Sequence, residues 1–267
     1  MNGFASIPGL LKLFVFTAKL DVSRSMAYRF DFIMGTLISF LFACAAPFVQ
    51  YMIFKTTNGY PGWSIPQLIM FQGVLLFWGG FRQMMFGRVF GETMALVRTG
   101  DFDRLLVKPY PPIGVLLSNG FTMNGVAPTI GGLAFLIAAA ANAEVVLEWW
   151  TIPLFVAMLF FGLLMLIAFY ILLCTILIMV VQMPRVGELF ERIGSFSEYP
   201  LALFPRGLKM FFSFAFPIAL WINFPAQVLL GRLEPVMIWG VLFSIVMVFV
   251  SNAIWKVFLH KYTSAGG

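Results

Sequence analysis

Charged residues in this chain are confined to short clusters, and between them lie six uncharged runs at positions 32–54, 56–81, 109–143, 149–184, 210–231 and 235–255. A helix crossing a ~30 Å hydrocarbon core needs about 20 apolar residues, and each run supplies at least that many. Without water to satisfy backbone polar groups, a segment buried in lipid has to be helical, and the alternation at period two of an outer-membrane barrel is absent. The pattern predicts an all-α polytopic membrane protein, one domain over residues 1–267, with spans near 32–54, 65–82, 116–141, 153–179, 208–230 and 236–257. The fifth is the least regular. Pro217 and Pro225 each remove a backbone donor, so it reads either as a bent helix or as a helix followed by a re-entrant piece near 223–230.

Before the first span, Phe4, Ile7, Leu10, Leu11, Phe14, Val15 and Ala18 recur at helical spacing, with Lys12 and Lys19 on the other face. This predicts an amphipathic helix over residues 4–20 lying in the membrane interface, in preference to a signal peptide, which would carry basic residues ahead of its apolar part. A charged elbow at 21–31 then turns the chain into the first span.

Lys and Arg set the orientation. With the N-terminus in the cytoplasm and six alternating spans, Lys12, Lys19, Arg24, Arg29, Arg82, Arg88, Arg98, Arg104, Lys108, Arg185, Arg192, Arg206, Lys209, Lys256 and Lys261 fall inside, and Lys55 and Arg232 outside. Fifteen against two places both termini in the cytoplasm. It also accounts for the net charge of +6 without nucleic acid. Trp63, Trp149 and Trp150 suit interfacial anchors in the outer loops.

Composition narrows the chemistry. Of all residues 61% are hydrophobic and 10% charged, where a soluble domain carries about 25% charged. One His and two Cys exclude a disulfide scaffold and a His/Cys metal site. No catalytic set is found: His260 reads as a solvated tail residue, and Cys44 and Cys174 as packing residues within spans. Glu144 and Glu148 read as a solvated outer face, and Arg185, Glu188, Glu191 and Arg192 as pairs on a cytoplasmic helix. No carboxylate lies deep in a predicted span, which argues against ion-coupled carriage, and Asp31 and Arg82 sit at span ends. The intramembrane polar groups are amides and hydroxyls, which usually join helices. Among them Asn223 and Gln227 are candidates for a substrate path. No G-x-x-x-x-G-K-[ST] loop is present to bind ATP.

The longest charged stretch, residues 83–112, reads as a helix–turn–helix on the cytoplasmic side. Phe86, Val89, Phe90, Ala95 and Val97 follow the membrane face, while Arg88, Glu92 and Arg98 face water. Gly100 permits a left-handed turn, Asp101 can cap a short helix over 102–107, and Pro109, Pro111 and Pro112 end it. Such a segment is either a solvated connector or a docking element.

Three stretches in order carry a family resemblance: Arg29-Phe30-Asp31-Phe32 with Gly35; residues 98–109 (RTGDFDRLLVKP), similar to R-x-G-x-x-D-x-x-L-x-x-P; and residues 198–205 (EYPLALFP) with Pro217, 223–227 (NFPAQ), Leu230-Gly231 and 262–266 (YTSAG). The chain resembles the type-2 export permeases of ATP-binding-cassette (ABC) transporters, in their six-span bacterial subgroup. The resemblance implies a subunit of the bacterial inner membrane that works as a homo- or heterodimer among membrane lipids. ATP and Mg would bind a separate cytoplasmic ATPase, so this chain would hold no cofactor and would not itself be an enzyme. It further implies that coupling to the ATPase runs through Glu92, Arg98, Gly100, Asp101, Asp103, Arg104 and Lys108. A pathway walled by Phe, Met and Leu suits an amphipathic or lipophilic cargo. The alternative is a membrane scaffold that recruits some other soluble partner; an intramembrane enzyme lacks the necessary polar groups.

Overall fold

The computed structural model describes residues 7–57, 59–60, 62–141, 147–179, 192–216 and 218–262. Among these the protein is all-helical. Helix α1 (Ile7–Ala27) meets α2 (Arg29–Thr56) with only Tyr28 between them, so the charged elbow is itself mostly helix. Next come α3 (Ile65–Phe86), α4 (Val89–Thr99), the single turn α5 (Asp103–Leu106) and α6 (Pro112–Ser118). A 3₁₀ turn (Met123–Gly125) leads into α7 (Val126–Ala140), followed by α8 (Thr151–Met179). The last elements are α9 (Arg206–Met210), α10 (Asn223–Leu229) and α11 (Val236–Leu259).

Four helical stretches among the described residues are long and apolar enough to cross a membrane: Arg29–Thr56, Met123–Ala140, Thr151–Met179 and Val236–Leu259. The second uncharged run forms α3, which is less apolar because of Gln67, Gln72 and Arg82, and which is buried along most of its length. The third run is broken: α6 and α7 are separated at residues 119–122, where Asn119 and Gly120 end one helix and Thr122 caps the next turn by accepting from the Asn124 N–H.

Helices α3 and α7 pack with their backbones almost touching. A Cβ on Gly132 would lie 2.2 Å from the Phe77 amide nitrogen, and one on Gly80 would lie 2.4 Å from that of Thr129. Gly73 and Gly125 are equally tight, with a built Cβ 2.9 and 2.3 Å from its neighbours. Small residues permit this approach, and in lipid, where apolar burial alone does not drive association, close van der Waals packing holds helices together. Helix α8 forms the centre of the other half, flanked by α11 and capped at one end by α4. Gln72 Nε2 donates to the Pro47 carbonyl at 2.8 Å, tying α3 to α2 beside the proline inside that helix.

The fifth uncharged run does not form one continuous helix. It divides into α9, a π-turn at Phe211–Ala215, a 3₁₀ turn at Ile218–Leu220 and α10. Lys209 Nζ lies 3.5 Å from Glu234 Oε1, and the Trp239 indole donates to the Phe214 carbonyl at 3.3 Å. Arg232 donates to the Gly62 carbonyl and to Gln67 Oε1, at 2.7 and 2.8 Å, and stacks over Trp63. Residues 209, 232 and 234 therefore sit together at the end of the bundle that carries the α2–α3 connection. The segment from 206 to 235 enters and leaves at that end, as a re-entrant hairpin whose turn packs against Gly162 and Phe169 in α8. This corrects the expected span over 208–230. Arg206 and Lys209 thus lie at the same end of the bundle as Lys55 and Arg232, away from the cytoplasmic side expected for them. Arg185, Glu188 and Glu191 lie outside the described residues.

Candidate functional site: the α4–α5 turn and its anchors

Helix α4 continues from α3 across Gly87 and Arg88. It buries Val89, Thr93 and Val97, spaced by four, against α8 and α6. Thr93 Oγ1 lies 3.6 Å from Cys174 Sγ in a fully buried contact. The expectation placed Ala95 on this face; Ala95 is exposed and Thr93 takes the position. The helix ends at Gly100, whose φ of +75° is a left-handed conformation open to glycine without a steric penalty. The Phe102 N–H then reaches back to the Leu96 carbonyl at 3.1 Å, closing the terminus.

Asp101 does not cap α5 through its side chain. Its carboxylate accepts from Thr99 Oγ1 at 2.8 Å and pairs with Arg104 at 3.1 Å, which stiffens the turn from outside. Phe102, 0% exposed, plugs the turn into the body of the protein, with its ring edge-on to Tyr262 and Trp255 at 5.0 and 6.5 Å. Burial and the nearby Asp103 carboxylate together raise the Tyr262 phenol pKa. With one face fixed in this way, the turn exposes Arg98, Arg104, Lys108 and the apolar Val107, which is 85% exposed.

A second anchor was missed in the sequence. Asp21 is 4% exposed; its Oδ1 pairs with Arg88 at 2.5 Å and its Oδ2 accepts the Met123 N–H at 3.1 Å. One buried carboxylate thus joins α1, the α3–α4 junction and the turn before α7. Around it, Thr17 donates to the Ser118 carbonyl at 2.7 Å, and Arg88 N–H donates to the Gly120 carbonyl at 3.2 Å. Glu92, expected to face water, is half-buried beside this knot. Its pKa is raised because burial outweighs the opposing influence of Arg88, the Asn119 amide and Arg24.

Asn223 and Gln227 fall on α10 but serve differently. Asn223 is 1% exposed; its Oδ1 accepts the Leu201 N–H at 2.8 Å, and its Nδ2 donates to the carbonyls of Ser197 and Tyr199 at 3.1 and 3.2 Å. Its amide is spent on pinning the loop at 197–201, which Gln50 also holds by donating to the Glu198 carbonyl at 2.7 Å. Gln227 Oε1 is buried with no hydrogen-bond partner among the described residues. Glu198, the first residue of the 198–205 stretch, lies among α2, α3 and α10. No cluster of His, Cys, Asp and Glu suited to a metal ion occurs among the described residues.

A bundle of apolar helices, glycine-packed and bearing a charged turn at one end, is the architecture of a polytopic membrane protein. The model of a family described as ABC-2 family transporter protein matches residues 40–266, and the chain belongs to that family. Comparison with curated proteins and with solved structures found no significant match.

Proposed function

We propose that this chain is the membrane-spanning permease subunit of an ABC exporter, energised by a separate cytoplasmic ATPase that docks on the α4–α5 turn. The observation that carries this is the turn's division into two faces. Phe102, Val97 and Leu105 fix one face in the core, while Arg98, Arg104, Lys108 and Val107 are exposed on the other. Gly100 and Asp101 give the turn its shape, Asp103 supports it at Tyr262, and Glu92 with the Asp21–Arg88 pair ties it to α1 and α7. Motion of a docked subunit would pass through α4 into α3 and α8, which are continuous with it or packed on it. ATP and Mg belong to the partner, so this subunit has no enzymatic step of its own.

The family membership supports this reading, and the apolar helix surfaces suit an amphipathic or lipophilic cargo, carried by a dimer of this chain or of this chain with a related one. Gln227, with its unpartnered carbonyl, is retained as a lining residue of the path. The basic-residue asymmetry supports a bacterial inner-membrane location with both termini cytoplasmic. The test is co-purification with the ATPase encoded beside it, followed by transport-coupled hydrolysis in lipid. Val107→Asp with Lys108→Glu should reduce ATPase recovery and transport at least tenfold while leaving the permease's melting temperature unchanged. Normal coupling in that variant would remove the docking assignment. Recruitment of a soluble partner with no nucleotide hydrolysis would favour the scaffold reading.

A further inference from the structure

Helices α2, α3 and α7 leave a gap on one side of the bundle. Helix α2 touches α7 where the Phe40 ring lies so close to Gly131 that a Cβ there would come within 2.4 Å of it. Beyond that contact, toward the end that carries the α2–α3 connection, the three helices enclose a groove of about 710 Å³. Ala134 and Ala138, one turn apart on α7, leave the space, and Pro47, Phe48, Ile69 and Phe135 line it with apolar surface. Three polar groups complete the lining: the Cys44 thiol, the Tyr51 hydroxyl and the Gln72 amide, whose Nε2 already donates to the Pro47 carbonyl. Phe48 is 60% exposed and both alanines are exposed, so the groove opens sideways, on the flank that faces lipid. A cation stands at one end. Lys55 Nζ lies 5.6 Å from the centre of the Tyr51 ring, which lines the groove, so an ammonium is held at its mouth. Lys55 is exposed, and among the described residues no carboxylate pairs with it. The other charges described at this end are Arg206, Lys209, Arg232, Glu148 and Glu234. Glu234 faces Lys209, Glu148 accepts from the Trp150 indole, and Arg232 is held by Gly62 and Gln67. Glu144 lies outside the described residues. Among the described residues, the balance at this end is therefore basic.

We infer that the groove binds a phospholipid, one acyl chain lying along Ala134 and Ala138 and the phosphate meeting Lys55. From Cys44 to Tyr51 the slot follows α2 for about 10 Å at ~1.5 Å per residue, a shape for a chain and not for a compact solute. Within a bilayer, moving a tail from bulk lipid into a groove brings no hydrophobic gain, so retention rests on close packing and on the ammonium–phosphate contact. A lysine near a helix end reaches the head-group level with its stem against apolar surface. Charge and slot therefore follow one another in the order in which a phospholipid presents head and tail.

Neither the ATPase nor the cargo enters the test, which is equilibrium binding by the full chain in detergent, read by native mass spectrometry. The probes are short-chain phosphatidylglycerol, diacylglycerol with the same tails, and glycerol phosphate without tails. Phosphatidylglycerol should bind at least about fivefold tighter than either of the others. Lys55→Gln should weaken phosphatidylglycerol binding about fivefold and leave diacylglycerol unchanged, the loss expected for one basic residue near a lipid head group. Ala134→Phe with Ala138→Phe fills the slot and should reduce binding of both lipids about tenfold without lowering the melting temperature, since both positions are exposed. Cys44 locates the lipid: bound phosphatidylglycerol should slow its reaction with an apolar maleimide severalfold, while Cys174, 0% exposed, stays silent. Equal binding of phosphatidylglycerol and diacylglycerol, or a preference that survives Lys55→Gln, would overturn the phosphate contact. Unslowed Cys44 labelling, or full binding in the double phenylalanine variant, would overturn the groove. Glycerol phosphate binding as tightly as the lipid would overturn the acyl chain. Oxidative cross-linking of Cys44 to Cys44 in membranes would assign the face to a second copy of this chain instead.

Discussion

Helices α2 and α8 are both long, uncharged in their middle and unmistakable as membrane helices, yet they occupy opposite situations. In the most apolar stretch of α8, 67% of residues are buried; in that of α2, 6% are. Met165, Leu166 and Ala168 of α8 are completely enclosed, while Ile38, Leu41 and Phe42 of α2 are half-exposed or more. Apolarity therefore qualifies a segment for the bilayer without saying where it stands in the bundle. What decides position is the partner surface: α8 is gripped by α4, α10 and α11, whereas α2 leans on α7 and α3 along one narrow edge.

The contrast can be pressed hardest at glycines. Gly132→Val forces a side chain onto the Phe77 backbone, and a loss of about 4 kcal/mol or more is expected, read as collapse of the monodisperse peak in size-exclusion chromatography. Gly35→Ala on α2, where a Cβ meets nothing within 4 Å, should leave that peak intact. Next in size, Met165→Ala in α8 should cost about 2–4 kcal/mol, and Ile38→Ala on α2 under about 1 kcal/mol, measured as thermal shifts in one detergent. If the two shifts are equal, the assignment of buried and peripheral helices is wrong.

Asp21→Asn removes the charge that balances Arg88 and should cost about 2 kcal/mol, less than a fully enclosed pair because Arg88 is 40% exposed. Proteolysis at the α1–α2 junction should quicken in parallel. The smallest effect is at Glu92. Its raised pKa means that the folded protein holds the proton more readily than the unfolded chain does. The resulting stabilisation is full below the ordinary carboxylate pKa and is lost as pH rises through the raised one. Melting temperature should therefore fall over that window in the parent and be flatter in Glu92→Gln; identical profiles would contradict the burial of this carboxyl.

Much of this was legible before any coordinates. The α4–α5 turn followed from local chemistry, since Gly100 and the three prolines at 109, 111 and 112 act on the backbone whatever surrounds them. Asp21 was not legible. In sequence it sits among Arg24 and Arg29 as an ordinary elbow charge, and only folding brings it to Arg88 and Met123, far along the chain. The re-entrant hairpin was half-legible: Pro217 and Pro225 announced irregularity, but apolar length alone cannot distinguish a crossing from a segment that turns back. The Lys209–Glu234 pair that decides it links residues on either side of the run. For Asn223, residue type suggested a polar lining, while geometry assigns all three of its hydrogen bonds to backbone. One available signal went unread, the seven-residue spacing of Gly73, Gly80 and Gly87 and of Gly125 and Gly132.

The backbone contact between α3 and α7 has a mechanical corollary. Two rods meshed atom to atom can neither slide past one another nor swivel without collision, so they respond to force as a single strut. The charged turn hangs from one end of that strut through a junction of two residues. Under the proposed docking, a push delivered there would reach the far end of the strut as tilt of the whole beam.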